Sequence, residues 1–133
     1  MKLQSVRGFR DILPPDVKRF QEIERVSRKL FERFGFSEIK TAYLEYEEVF
    51  SKSLGADSDI VQKEMFTFTD SKGRKITLRP EATASVVRAY IEHGLYAKGG
   101  EHRFYYIGPM FRHERPQKGR FRQFYQAGIE IIG

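Results

Sequence analysis

Between Asp16 and Phe34 the apolar residues Val17, Phe20, Ile23, Val26, Leu30, Phe31 and Phe34 recur at three- and four-residue steps, with charged residues between them. That period gathers them on one stripe and predicts an amphipathic helix from Asp16 to Phe34, with Asp16 as its N-cap and Gly35 as its stop. The run FSEIKTAYLEY that follows reads as one strand, and EEVFSKSLG as a short helix ending at Gly55. In EMFTFTDSKGRKITLRP two β-rich runs flank Asp70, Ser71, Lys72 and Gly73, which signals a hairpin. From Pro80, PEATASVVRAYIEHG predicts a helix with proline in its first turn, Glu81 at the positive end of its dipole and Gly94 as its stop. The closing stretch, RFYYIGPMFRHERPQKGRFRQFYQAGIEIIG, reads as two long strands joined by a loop around Arg115 to Gly119. The pattern as a whole is α+β: a mainly antiparallel sheet flanked by helices.

Composition narrows the function classes. With 40% hydrophobic against 32% charged residues the chain suits a soluble domain rather than a disordered tail. Lys and Arg outnumber Asp and Glu by 24 to 18, a net charge of +6 that favours a polyanionic partner such as RNA, a nucleotide or a phosphorylated metabolite. The absence of cysteine excludes disulfides, zinc-thiolate sites and cysteine nucleophiles within this chain. His93, His102 and His113 lack metal-ligand spacing, so no metal site is expected from them. The start, MKLQSVRGFRDILPP, has no apolar run of signal-peptide length, and no later run is long enough to span a bilayer. A cytosolic location is the expectation, with no membrane partner.

The period of two on the last strands sorts chemistry by face. On the second, Arg120, Arg122, Phe124, Gln126, Gly128 and Glu130 point one way, and Phe121, Gln123, Tyr125, Ala127, Ile129 and Ile131 the other. On the first, Arg112 and Glu114 share a side with Gly108, and the glycines leave room for something close to the backbone. Guanidinium groups give bidentate donors to phosphate, an aromatic ring stacks on a base, and carboxylates accept from amino groups. Two readings stay open on this ground: a nucleotide or amino-acid site, or an exposed sheet face with ion pairs worth about 0 to 1 kcal/mol each. Glu81 is likewise either a partner of the helix dipole or a ligand group.

GPMFRHERPQKGRFRQFYQAGIEIIG resembles the second signature motif of class II aminoacyl-tRNA synthetases, Phe-Arg-x-Glu followed by a variable loop and a basic residue before Phe. Together with VRGFRDILPP and KEMFTFTDSKGRKITLRPEATASVVRAYIEHG it resembles the histidyl-tRNA synthetase family over nearly the whole chain. The resemblance implies ATP-dependent ligation of histidine to tRNA(His) through histidyl-adenylate, with magnesium accompanying ATP, and a homodimer as the full-length protein. It implies that Arg112 contacts both the ATP α-phosphate and the substrate carboxylate, as the catalytic cation. Glu114 and Phe124 would hold adenine and Arg120 the γ-phosphate, while Glu81, Thr83, Arg112, Gln126 and Glu130 would hold histidine. The loop Arg115, Pro116, Gln117, Lys118 and Gly119, with Arg122, would meet the tRNA acceptor end through phosphate contacts, and Gln117 would read a base edge.

Two residues depart from the family's pattern: Ala42 stands where the first motif carries proline, and Ala82 where an RPEGT version carries glycine. The third motif, the histidine-specific insertion and the anticodon-binding domain are absent from these residues, so 1–133 is expected to be the N-terminal part of a catalytic domain with an incomplete active site. An alternative on the same fold is the synthetase-like regulatory subunit of ATP phosphoribosyltransferase. That paralogue is expected to lose parts of the loop and of the RPEAT segment, whereas Glu81, Thr83, Arg112, Arg120, Gln126 and Glu130 all stand here.

Overall fold

A computed structural model describes residues 2–115 and 117–133. Helix α1 runs Asp16–Arg33, one residue short of the expected end, and Pro15 rather than Asp16 precedes it. Asp16 makes no capping bond; it lies in the first turn, where its charge favours the dipole. Gly35 stops the helix as expected: its N–H donates to Glu32 and that of Phe36 to Phe31, the paired bonds of a left-handed glycine terminus, with φ +83°.

The stretch expected to form one strand divides between two sheets. Residues Ser37–Glu38 form β1 and Leu44–Tyr46 form β2. Between them the chain turns around Arg79, whose guanidinium donates to the carbonyl (3.3 Å) and hydroxyl (2.9 Å) of Thr41 and to the carbonyl of Pro109 (3.0 Å). After β2 comes α2, Glu48–Leu54, ended at Gly55 as expected, and then a single π turn, Ile60–Glu64. Strands β3, Thr67–Thr69, and β4, Lys75–Leu78, form the expected hairpin. Its turn is held by the Asp70 carboxylate, which accepts from the N–H groups of Lys72 and Arg74.

Helix α3 begins at Thr83 and ends at Glu92, so Pro80 and Glu81 lie before it rather than in its first turn. Strands β5, His102–Phe111, and β6, Gln123–Ile132, pair antiparallel along their whole length. One sheet has the order β1-β5-β6, with β1 parallel to β5, and the other is antiparallel with the order β2-β4-β3. The fold is α+β as expected.

The core contains Phe50 of α2, Val86 of α3 and Tyr105 and Met110 of β5, all nearly or fully inaccessible. Helix α1 covers the odd-numbered face of the larger sheet, with Phe20 against Tyr125 and Phe31 against Tyr105. That cover is partial: Tyr125, Ile129 and Ile131 of β6, Ile23, Val26 and Leu30 of α1, and Phe34 just after it, stay exposed. The even-numbered face carries the polar groups and is closed at one end by the start of α3. Among the described residues no helix is long and apolar enough to cross a membrane.

Candidate functional site

The site lies on the even-numbered face of β5 and β6, where the N-terminus of α3 meets it. Glu81, just before that helix, turns its carboxylate back and accepts from the N–H of Thr83 (2.7 Å) and of Ala84 (3.0 Å). Both are helix-start donors with no intrahelical partner, so in this structure Glu81 serves the helix end. The Thr83 hydroxyl in turn donates to Glu130 Oε1 at 2.6 Å, joining α3 to β6 across 47 positions of sequence.

Tyr106, which sequence reasoning passed over, completes this group. Its hydroxyl stands 3.5 Å from the same Glu130 oxygen, and its ring lies over Gly128. A methyl at Gly128 would stand 2.6 Å from Tyr106 Cζ, so the space left by that glycine holds a side chain of the protein itself. Burial, then the charges of Glu130 and Glu81, push the Tyr106 phenol above its ordinary range, opposed by a hydrogen bond with Thr83. It therefore remains a neutral donor beside two carboxylates. Gly108 has a similar use: a methyl there would lie 2.9 Å from Nη2 of Arg79. Burial pushes the Arg79 guanidinium down from its ordinary range, while Tyr43, 4.6 Å beneath it, and Glu45 act in the other direction. Tyr106 faces Gly128 across the β5–β6 pair, whereas Arg79 reaches Gly108 from beyond β4; the one available sequence signal for either contact was a glycine within a strand.

Arg112, Glu114, Arg120 and Phe124 line one cleft of about 340 Å³ with Gly119 and Phe121. Sequence alternation placed the three charged residues on the strands; the structure places them in the loop beyond, since β5 ends at Phe111 and β6 begins at Gln123. Arg112 still continues the ladder by one rung, its N–H donating to the Arg122 carbonyl at 2.8 Å. Its Nε donates to the Pro80 carbonyl at 3.0 Å and its guanidinium lies 5.3 Å from the Phe124 ring centroid. One of five N–H groups is thus used for anchoring, and the geometry leaves the terminal amino groups to face an anion. Gln126 is half-buried on the same face of β6, between Phe124 and Gly128.

At the tip, Arg115, Gln117 and Lys118 are exposed, and Gln117 and Arg120 exchange main-chain bonds around Lys118 and Gly119. Pro116 lies outside the described residues. Arg122 stands apart from this tip: its Nε donates to the Glu114 carbonyl at 2.9 Å and its stem packs on Gly8. Two groups therefore emerge, a carboxylate pair with hydroxyls at one end and a guanidinium cleft with an aromatic wall at the other. Carboxylates accept from cationic N–H donors, and guanidinium groups donate to anions such as phosphate.

The chain is similar to known proteins over nearly its whole length. A family model described as histidyl-tRNA synthetase matches residues 8–133. The curated histidine–tRNA ligase of Desulfatibacillum aliphaticivorans is 60% identical over 131 residues, covering 98% of this chain and 31% of the relative. That of Thermodesulfovibrio yellowstonii is 54% identical over 133 residues, covering 100% and 32%. Among solved structures, apo histidyl-tRNA synthetase of S. aureus superposes with a TM-score of 0.78 at 37% identity, covering 96% of this chain and 28% of that one. A Bacillus halodurans protein described as an ATP phosphoribosyltransferase regulatory subunit/histidyl-tRNA synthetase has a TM-score of 0.83 at 27% identity, covering 100% and 33%. The chain spans about a third of the length of the curated relatives it matches.

Proposed function

The chain belongs to the histidyl-tRNA synthetase family, and from that premise we propose that residues 1–133 are the N-terminal part of a class II catalytic domain that charges tRNA(His) with histidine. In the first step a histidine carboxylate oxygen bonds to the α-phosphorus of ATP, the bond to the bridging oxygen breaks, and pyrophosphate leaves. Negative charge concentrates on the α-phosphoryl oxygens, and Arg112, fixed by Pro80, is the preorganised cation that meets it. Arg120 faces the γ-phosphate, and Phe124 and Glu114 hold adenine. ATP enters with its magnesium as a substrate. In the second step a hydroxyl of the terminal tRNA ribose bonds to the histidyl carbonyl carbon and gives up its proton as AMP leaves, with Arg115, Gln117 and Lys118 on the acceptor end, while Arg122, bonded to Glu114, holds the loop that carries them.

The observation that carries this reading is the spacing of the two groups on one sheet face: Glu81, Thr83 and Glu130 joined at one end, Arg112 over Phe124 at the other. Glu81 and Gln126 suit an ammonium group. Thr83 and Tyr106 both bond Glu130 through Oε1, so that Oε2 is the oxygen to take an imidazole N–H. A homodimer and a cytoplasmic location belong to the same reading, and the exposed apolar stripe of α1 supports association. The regulatory-subunit alternative shares the fold, and the intact set of amino-acid and phosphate groups is what favours the synthetase reading over it. The test is histidine-dependent exchange of pyrophosphate into ATP, in the chain at its relatives' length. Arg112→Ala should lower it by about a hundredfold or more; near-normal exchange would overturn the assignment.

A further inference from the structure

The segment ahead of α1 has no assigned work, yet it is tied to the loop that carries Arg112. Gly8 sits at φ +87°, and its carbonyl accepts from the N–H of Arg122 at 2.8 Å and of Gln123 at 3.4 Å. Among the described residues, and apart from the bonds that the Leu13 and Pro15 carbonyls accept from the first turn of α1, these are the only main-chain bonds that residues 2–15 make to another segment. The Arg122 carbonyl passes the connection on by accepting from Arg112 N–H at 2.8 Å. Side chains repeat the pattern. Phe9 packs against Phe66 and Phe111, and the Arg10 guanidinium lies 4.1 Å from the Phe121 ring centroid.

Gly8 is needed for a steric reason as well as for its φ. A methyl there would stand 2.6 Å from both Cγ and Cδ of Arg122, the stem whose Nε donates to Glu114. Either the stem moves and the bond to Glu114 is lost, or the Gly8 carbonyl swings away from Arg122. Both outcomes release the point where the β5–β6 ladder continues into the loop. The group formed by Glu81, Thr83 and Glu130 hangs instead on the start of α3 and the far end of β6, and none of its bonds involves residues 2–15.

We propose that residues 5–10 are a positioning latch for the Arg112–Arg122 loop, in which Gly8 and Arg10 set the phosphate side of the site and leave the group of Glu81, Thr83 and Glu130 alone. The inference rests on the synthetase reading given above. In the chain at its relatives' length, Gly8→Ala should raise the KM for ATP in pyrophosphate exchange by about tenfold and that for histidine by only about twofold, through the one contact Arg112 makes with its carboxylate. Arg10→Gln, which keeps Gly8, should raise it by about threefold. Amide hydrogen exchange at Arg112 and Arg122 should quicken in Gly8→Ala, with α3 as protected as before. An unchanged KM for ATP, or a rise in the KM for histidine as large as that for ATP, overturns the latch. If the unsubstituted protein shows no histidine-dependent exchange, the synthetase reading fails, and amide exchange still decides the latch: unchanged protection at Arg112 and Arg122 overturns it.

Discussion

Gly128→Ala isolates the contribution of Tyr106 to the pocket. A methyl at this position would stand 2.6 Å from Tyr106 Cζ and closer still to its hydroxyl, while ordinary contact begins near 3.4 Å. The ring must therefore withdraw by about 1 Å, the scale of misplacement that costs up to about a hundredfold in a positioned reaction. The hydroxyl already stands 3.5 Å from Glu130 Oε1, so the shift ends that contact. Gly128 does not have the left-handed backbone that excludes other residues, and the obstructing atoms are the far end of a half-buried side chain. Folding stability should thus change by only about 1 kcal/mol. In pyrophosphate exchange, the KM for histidine should rise by about ten- to a hundredfold. The KM for ATP should hold, because the cleft proposed for it is lined by Arg112, Glu114, Arg120 and Phe124. In a Tyr106→Phe background the methyl should cost less, since the nearest atom is gone. An unchanged KM for histidine, or the same penalty in both backgrounds, would refute the reasoning.

Two further predictions concern the scaffold. Arg88 donates to both oxygens of Glu45, at 3.0 and 2.9 Å, and that carboxylate is only 6% exposed. Arg88→Leu should cost about 3 kcal/mol in urea unfolding by stranding a buried charge, and adding Glu45→Gln should recover part of it; a loss that Glu45→Gln leaves untouched would count against the pair. Tyr105, buried and donating to Glu32 at 2.6 Å, has its phenol pushed up from 10.0 to about 12, first by burial and then by that bond. The unfolded chain releases this proton from about pH 10, so the stabilisation is complete below that and is lost as pH rises towards 12. One tyrosine should titrate late in the ultraviolet spectrum, and Glu32→Gln should bring its transition to lower pH.

Legibility in the sequence followed the range of the interaction. Helix α1, its Gly35 terminus, α2 with Gly55 and the Asp70 hairpin each depend on residues within a few positions of one another, where period and glycine placement state the geometry directly. The candidate residues on the last two strands were also readable, because alternation sorts faces. It misjudged where the strands stop, since Arg112 and Arg122 keep one rung of the ladder while their side chains turn to Pro80 and Glu114.

By itself, then, the sequence determined the kinds of elements, their order, and a polar stripe of cations, carboxylates and one aromatic ring at the chain's end. Tertiary structure alone decided what those groups face. It divided FSEIKTAYLEY between two sheets, because Arg79 takes Thr41 as a partner from 38 positions away. It filled the space at Gly108 with Arg79 and at Gly128 with Tyr106, and set Gly8 beneath Arg122. It turned the Glu81 carboxylate onto the start of α3 and linked Thr83 to Glu130. The physical reason is common to all of these: a side chain's nearest neighbours come from segments distant in sequence, and short-range periodicity carries no record of which segments will meet.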